Sequence, residues 1–302
     1  MAHHAAIDLP PDRSITLRDG RTLGYVEVGD PQGHPVISNH GGLSCRLDVT
    51  PSGAAATAHG LRVISPDRPG IGTSSHQADR TIGGWAADVA ELADQLGLGT
   101  FSTLGWSFGG GFAQSVAFHL ADRVDALSLV ASGVPVDWDG MSEQINRMDQ
   151  HFLTMSEHRV GRGVERTLFH LMGAAAHLAP RRVSADAGGD EADHLALAAA
   201  IAQGLHHTDG VVADYRLMDR PWGFDPSELT VPTTIWQGDA DELVPPAWGQ
   251  RLHDAIAGSQ LRVVPGATHY LWYEHWDEIF TSLVQDRSQS EGARSEGLDA
   301  RA

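Results

Sequence analysis

Cysteine is almost absent. Cys45 stands alone in 302 residues, so no intramolecular disulfide can form and no metal site can be built from thiolates. Positive charge is scarce as well: 21 Lys and Arg stand against 39 Asp and Glu, a formal net charge of −18. A surface this acidic repels phosphate backbones and anionic headgroups, which argues against nucleic acid and membrane surfaces as partners. No apolar run reaches the roughly 18 residues that a membrane span needs. Residues 1–13, with Pro10-Pro11, hold no apolar core of signal-peptide length, and the cytoplasm is the expected compartment. What is present is a 41% hydrophobic share, enough for a sizeable core. The length fits two domains, or one large α/β domain carrying an inserted subdomain.

Residues 14–28 read as a hairpin, Ser14–Leu17 and Thr22–Val28, turning at Asp19-Gly20. Two short apolar runs follow, Pro35–Ser38 and Leu61–Ile64. Each ends in a glycine loop, His40-Gly41-Gly42 and Asp67-Arg68-Pro69-Gly70-Ile71-Gly72, and the small residues Val49–Gly60 between them predict a helix. Ile82, Trp85, Ala86, Val89, Leu92, Ala93 and Leu96 form one helical stripe closed by Gly97 and Gly99. Then come Phe101–Leu104 as strand, Gly109–Leu120 as helix and Val124–Val130 as strand. After a gap the alternation resumes with strand Thr233–Trp236, helix Pro246–Ile256, strand Leu261–Val264 and helix Trp272–Val284. Strand, loop and helix in repetition build a parallel sheet flanked by helices, an α/β class.

The gap, residues 136–225, offers only helical patterns, such as Ile145, Met148 and Phe152, then Val164, Leu168, Leu171 and Met172, with a glycine- and charge-rich link over Arg181–Asp193. It reads as a helical cap inserted between a first core part, 1–135, and a second, 226–285. Beyond Gln285 the only large apolar residue is Leu298, so 286–302 is expected to be a disordered tail.

Gly105-Trp106-Ser107-Phe108-Gly109 places a serine between a predicted strand and a predicted helix. A nucleophile on so tight a turn needs small neighbours, which Gly105 and Gly109 supply, and the helix N-terminus brings its dipole to Ser107. A serine hydroxyl is a poor nucleophile unless a base takes its proton. His269, in Gly266-Ala267-Thr268-His269, follows the last predicted strand on the edge where Ser107 also ends one; His253 and His275 fall inside predicted helices. The imidazole needs a carboxylate to hold one tautomer. Asp239, Asp241 and Glu242, all after the strand Thr233–Trp236, are open to that role on chemistry alone.

On these residues the chain resembles the α/β-hydrolase superfamily, in its serine branch with a helical cap. The order Ser107, Asp241, His269 is similar to that family's nucleophile, acid and base. Gly238 to Asp241 followed by Val244-Pro245 resembles its acid motif and selects Asp241. Asp67 to Ser74 resembles its loop after the fourth strand, and 136–225 lies where the family puts its cap. The resemblance covers about residues 25–285. It implies an oxyanion hole from the amides of Phe108 and of Gly42, the latter in a His-Gly-x element. Leu43 stands where proline is often found and keeps its own amide available as a substitute donor. Asp137 and Asp139 are the backup acids, and His40 is expected to brace its loop.

The implied activity is hydrolysis of a small-molecule carboxylic ester or lactone through an acyl-enzyme on Ser107, with no metal and no organic cofactor required. Related chemistries remain open on the same residues: C–C or amide hydrolysis, cofactor-free perhydrolysis, or a nearly inert ligand-binding relative. Leu43, Trp106, Phe108, Met148 and Phe152 are the expected apolar pocket wall. Cys45 is expected to be a small buried thiol, and His206, His207 and Asp209 a surface cluster rather than a metal site. No exposed apolar stripe is expected in the cap, which speaks against lipase action on aggregated lipid.

Overall fold

Eight short segments of β-branched and aromatic residues pair into one sheet in the computed structural model, which describes residues 8–183 and 188–299. In chain order the elements are β1 (Arg13–Thr16), β2 (Thr22–Gly29), β3 (His34–Asn39), α1 (Gly53–Ala58), β4 (Leu61–Pro66), α2 (Trp85–Gln95), β5 (Phe101–Trp106), α3 (Gly109–His119) and β6 (Val124–Val130). Helices α4 (Arg147–Glu157), α5 (Arg159–Leu178), α6 (Pro180–Val183), α7 (Glu191–Gly204) and α8 (Thr208–Met218) follow. Then come β7 (Thr233–Gly238), α9 (Pro246–Ala255), β8 (Gln260–Val264) and α10 (Trp272–Asp299).

The sheet order is β1-β2-β4-β3-β5-β6-β7-β8, antiparallel across β1, β2 and β4 and parallel from β4 onward. Alternate residues of the strands feed two apolar layers. Ile37, Ile64, Phe101, Leu127 and Ile235 pack with α2, α3 and α9, while Val36, Val63, Leu104, Val130 and Trp236 pack with α10 and the inserted helices. Burial on both faces is what a parallel sheet requires of its strands. The register aligns the carboxyl ends: Asn39 lies opposite Gly105, Trp106 opposite Val130, Val130 opposite Trp236 and Gly238 opposite Val264. The loops that follow β3, β5, β7 and β8 therefore leave the sheet along one rim.

Between β6 and β7 the described residues form helices and turns and no strand, as the patterns over 136–225 predict. The link Arg181–Asp193 is shorter than expected. Helix α7 starts at Glu191, because Asp190 accepts from the amides of Ala192 and Asp193 while Asp193 returns a bond to the Asp190 amide, a closed capping box. Residues 184–187 of that link lie outside the described residues.

Two expectations are corrected. Helix α10 does not stop before a disordered tail at 286 but continues to Asp299. Asp286 is buried and accepts from Thr234 Oγ1 at 2.7 Å, which anchors the continuing helix to β7, and no proline interrupts the turns beyond. Residues 300–302 lie outside the described residues. The cap also carries an exposed apolar stripe: Val160, Val164, Leu168, Leu171 and Leu178 follow one another along α5 at helical spacing and face solvent. Phe169, Gly173 and Ala176 of the same helix are buried, so α5 is apolar on two faces and only one finds a partner. Among the described residues no helix is long and apolar enough to cross a membrane.

Candidate active site

Ser107 follows β5 directly and holds φ at +57°, a left-handed conformation that costs a side-chain-bearing residue about 1–3 kcal/mol. Its surroundings fix it there. The Ser107 amide donates to the Val130 carbonyl at 2.9 Å, and its carbonyl accepts from Gly110 and Gly133, each at 3.0 Å. The turn closes only because its flanks are bare: a Cβ on Gly109 would lie 2.1 Å from the Asn39 carbonyl oxygen, and one on Gly105 2.6 Å from that of Gly109. Helix α3 begins at Gly109, so its N-terminal dipole points at the serine.

The loop after β3 passes beside this turn. His40 is fully buried, with Nδ1–H donating to the Gly41 carbonyl at 2.9 Å and Nε2 accepting from the Arg68 amide at 3.2 Å. Burial, with the Arg68 cation beside it, holds its pKa well below the usual imidazole range, so it is neutral. His40 thus braces the loop, as expected. Gly42 lies against Phe108, its hypothetical Cβ 3.6 Å from Phe108 Cβ. Leu43 takes a left-handed φ of +56°. The Gly41 amide is taken by Asp48 Oδ2 at 3.0 Å, whereas the amides of Gly42, Leu43 and Phe108 have no acceptor among the described residues.

Across the rim, the loops after β7 and β8 are laced together. The Ala240 amide donates to the Ala267 carbonyl, and Asp239 Oδ1 accepts from the Gly266 amide. The lacing brings His269 Nδ1 within 3.0 Å of Asp241 Oδ2. Asp241 is buried, and its other oxygen accepts from the amides of Leu243 at 2.9 Å and Val244 at 2.8 Å. Gln237 Nε2 adds a longer contact of 3.4 Å to Oδ2. The His269 carbonyl accepts from Trp106 Nε1 at 3.0 Å, and the two rings lie 5.4 Å apart, which ties the imidazole to the residue preceding Ser107. Among the described residues no hydrogen bond joins the Ser107 hydroxyl to the imidazole. The competing residues are placed elsewhere. Asp137, Asp139 and Glu242 are exposed, His253 contacts Ser259, and His275 contacts Glu278.

A pocket opens at Ser107 and Phe108. Its wall is formed by Val134, Val136, Ile145, Met218, Trp222, Leu243, Val244 and Trp248, with Asn146 and Asp149 as polar members beside the serine. Of the expected wall only Phe108 is there. Trp106 turns to the opposite face of β5 and stacks on Trp272 at 4.5 Å, as strand alternation demands once Ser107 faces the pocket. Phe152 faces the interior of the cap against Phe169 and Tyr215, and Met148 is largely exposed. Leu43 packs against the apolar layer on the α10 side.

The family profile for the alpha/beta hydrolase fold matches residues 34–275, four-fifths of the chain. The chain belongs to the alpha/beta hydrolase family. A non-heme haloperoxidase of Rhodococcus erythropolis is 26% identical over 278 residues, covering 89% of this hydrolase and 97% of the relative. Among solved structures, an esterase from Rhodococcus sp. ECU1013 superposes with a TM-score of 0.70 at 21% identity, covering 92% and 98% of the two chains. An esterase from Exiguobacterium antarcticum gives 0.67 at 21%, covering 91% and 98%. At these identities the solved structures speak for the fold.

In this hydrolase the pocket residues that sequence reasoning missed are chiefly Asn146, Asp149, Trp222 and Trp248. A signal existed for the first pair. Asn146 caps α4, accepting from the Asp149 amide, and an Asn three residues before an acid is a helix start. Asp149 is further held by Tyr215 Oη at 2.7 Å. Cys45 is buried and free, and burial pushes its thiol well above the usual range, so it is the inert thiol expected. Asp209 pairs with Arg166, and among the described residues no cluster of three His, Cys, Asp or Glu could hold a metal ion.

Proposed function

We propose that this hydrolase cleaves small carboxylic esters or lactones through an acyl-enzyme on Ser107. The observation that carries the reading is the pair of free amides, Gly42 and Phe108, flanking a left-handed serine at the mouth of an apolar pocket. Ser107 Oγ attacks the carbonyl carbon while His269 Nε2 takes its proton. Asp241 accepts from Nδ1–H, holds that tautomer and stabilises the imidazolium. The carbonyl oxygen gains negative charge facing the two amides, each such donor being worth about 3–4 kcal/mol in the transition state. Collapse expels the alkoxide, which takes the proton from His269. Water then repeats the sequence on the acyl-enzyme and releases the acid. The serine–imidazole contact, open in the free enzyme, closes around substrate, as such contacts commonly do.

Among the described residues Asp149 is the only acid or base lining the pocket, so a neutral acyl group fits and a carboxylate-bearing one is repelled. The partner is accordingly a small neutral ester, and the cytoplasm is the proposed compartment. Ser107→Ala is expected to lower turnover of p-nitrophenyl esters at least ~10³-fold and to abolish labelling by a fluorophosphonate. Activity near wild type in that variant overturns the reading, and absence of a labelling burst in the wild type points instead to an inert binder.

The haloperoxidase relative favours one further reading of the same site, in which hydrogen peroxide replaces water in deacylation and a peracid leaves. Halide oxidation that requires peroxide, a short carboxylic acid and Ser107 together would mark it.

A further inference from the structure

The loop that offers the Gly42 amide is gripped from behind by a cation. Arg68 is fully buried, and its Nη1 and Nη2 donate to the carbonyls of His40 and Gly41, the latter at 2.9 Å. The Gly41 carbonyl and the Gly42 amide belong to one peptide plane. In a trans peptide the C=O and N–H bonds point in opposite directions, so a guanidinium on the oxygen fixes where the N–H aims. It also draws electron density from that N–H and strengthens it as a donor, since chained hydrogen bonds polarise one another. The preceding peptide is held at both ends, its carbonyl by Arg68 and its N–H by Asp48. The guanidinium also lies over the Phe112 ring at 4.7 Å and the Phe108 ring at 5.7 Å, and Phe108 is the residue whose amide is the second proposed donor.

What holds Arg68 comes from the cap. Asp214, on α8 and nearly fully buried, accepts from Arg68 Nη2 at 2.9 Å and Nε at 3.2 Å; its second oxygen accepts from Arg80 Nη2 at 2.7 Å. Arg80 in turn donates to the Gly210 carbonyl of the same helix. One carboxylate of the cap therefore sets a buried guanidinium of the core, and the guanidinium sets the peptide that faces the substrate.

We propose that Asp214 is a positioning residue for the oxyanion hole, acting through Arg68 on the Gly41–Gly42 peptide. The inference rests on the esterase reading above, in which Gly42 supplies an oxyanion donor. A donor that is loosened rather than lost weakens the transition state more than the ground state.

Asp214→Asn is expected to lower kcat for p-nitrophenyl esters about 10-fold or more, less than outright loss of a donor, with KM within about threefold of wild type. Phenylboronic acid, which forms a tetrahedral adduct on serine, is expected to lose affinity by the same factor as kcat. The Gly42 amide proton resonance is expected to move upfield. Asp214→Glu recovers part of each change. Equal kcat and boronate affinity in wild type and Asp214→Asn, or a fall in thermal stability alone, overturns the proposal. Should Asp214→Asn fail to fold, Arg80→Met keeps the carboxylate on Arg68 while releasing its other side. The same parallel losses, smaller, are then expected, and a KM effect without a kcat effect overturns it. Ser107→Ala run beside these variants separates the two readings. If that variant keeps its turnover, the acyl-enzyme fails, and the Gly42 resonance still reports whether Asp214 governs the peptide.

Discussion

At the carboxyl rim of the sheet, two of the groups proposed for the chemistry are held by backbone, while side chains hold His269 and the Gly41–Gly42 peptide. Ser107 is pinned through its own amide and carbonyl, and Asp241 by the amides of Leu243 and Val244. In the helices inserted between β6 and β7, the groups that reach the pocket or the rim ride on other side chains: Asp149 on Asn146 and Tyr215, Asp214 on Arg68 and Arg80. Unpartnered buried oxygens occur in both regions, at the rim as Asp48 Oδ1 and Gln237 Oε1. Glu165 is buried with both oxygens unpartnered, and α5 leaves a row of apolar residues in solvent. Backbone ties set position to a fraction of an ångström and resist substitution, whereas side-chain ties can be redrawn one residue at a time. The comparison fits the proposal that the reaction belongs to the rim and its tuning to the inserted helices.

The largest expected effect lies in the rim. Asp241→Asn keeps an oxygen for the Leu243 and Val244 amides yet selects the wrong imidazole tautomer. It is expected to lower kcat about 10⁴-fold with little change in melting temperature. A loss of only a few-fold in steady-state turnover would break the assignment of the reaction to the rim. Gly109→Ala probes the same region through packing. The new methyl would press into the Asn39 and His40 carbonyls, so a loss of ~2–3 kcal/mol in urea unfolding is expected, with about a 10²-fold fall in turnover as Ser107 shifts.

The smallest effect belongs to the cap and concerns stability. Burial pushes the Glu165 carboxyl up to about 7 from an ordinary 4.5, against the pull of Arg166 and Arg162. Between those two values the unfolded chain has released the proton and the folded chain keeps it, so stability falls as pH rises through that window and levels off above it. Glu165→Gln lacks this dependence. It is expected to match wild type near pH 4 and to exceed it by ~1–3 kcal/mol at pH 8 in denaturant titrations, with activity unchanged. A wild-type stability that is flat between pH 4 and 8 would show that burying the Glu165 carboxyl carries no cost in the folded chain.

The rim was legible in the sequence for a physical reason. Short β-rich runs ending in glycine loops fix where a parallel strand stops, so the order of the runs alone puts Ser107, His40, Asp241 and His269 on one edge. Val124–Val130 falls where the pattern puts it, and the others within a few residues. The cap was legible as helices but not in its facing. Helix α5 is apolar on two sides, and nothing in its periodicity says that Phe169 goes inward while Leu168 and Leu171 stay out. Met148 and Phe152 were expected at the pocket, but the α4 face that meets it is the one bearing Asp149. The tie between Arg68 and Asp214 spans 146 positions with a cap fold in between, and no local pattern encodes it. Helix α10 outruns its apolar stripe, and just past that stripe one buried acid, Asp286, accepts from Thr234, a contact no local pattern foretells.

The shared carboxylate of Asp214 also bears on how a substrate gets in. Swinging α8 away would strand two guanidinium groups in a dry interior with nothing to replace their counter-ion, a state several kilocalories per mole uphill. Helix α8 is thus bolted to the core by this one carboxylate. The pocket wall is half-exposed at Asn146, Met218 and Leu243, where side-chain movement alone would widen the way to the serine.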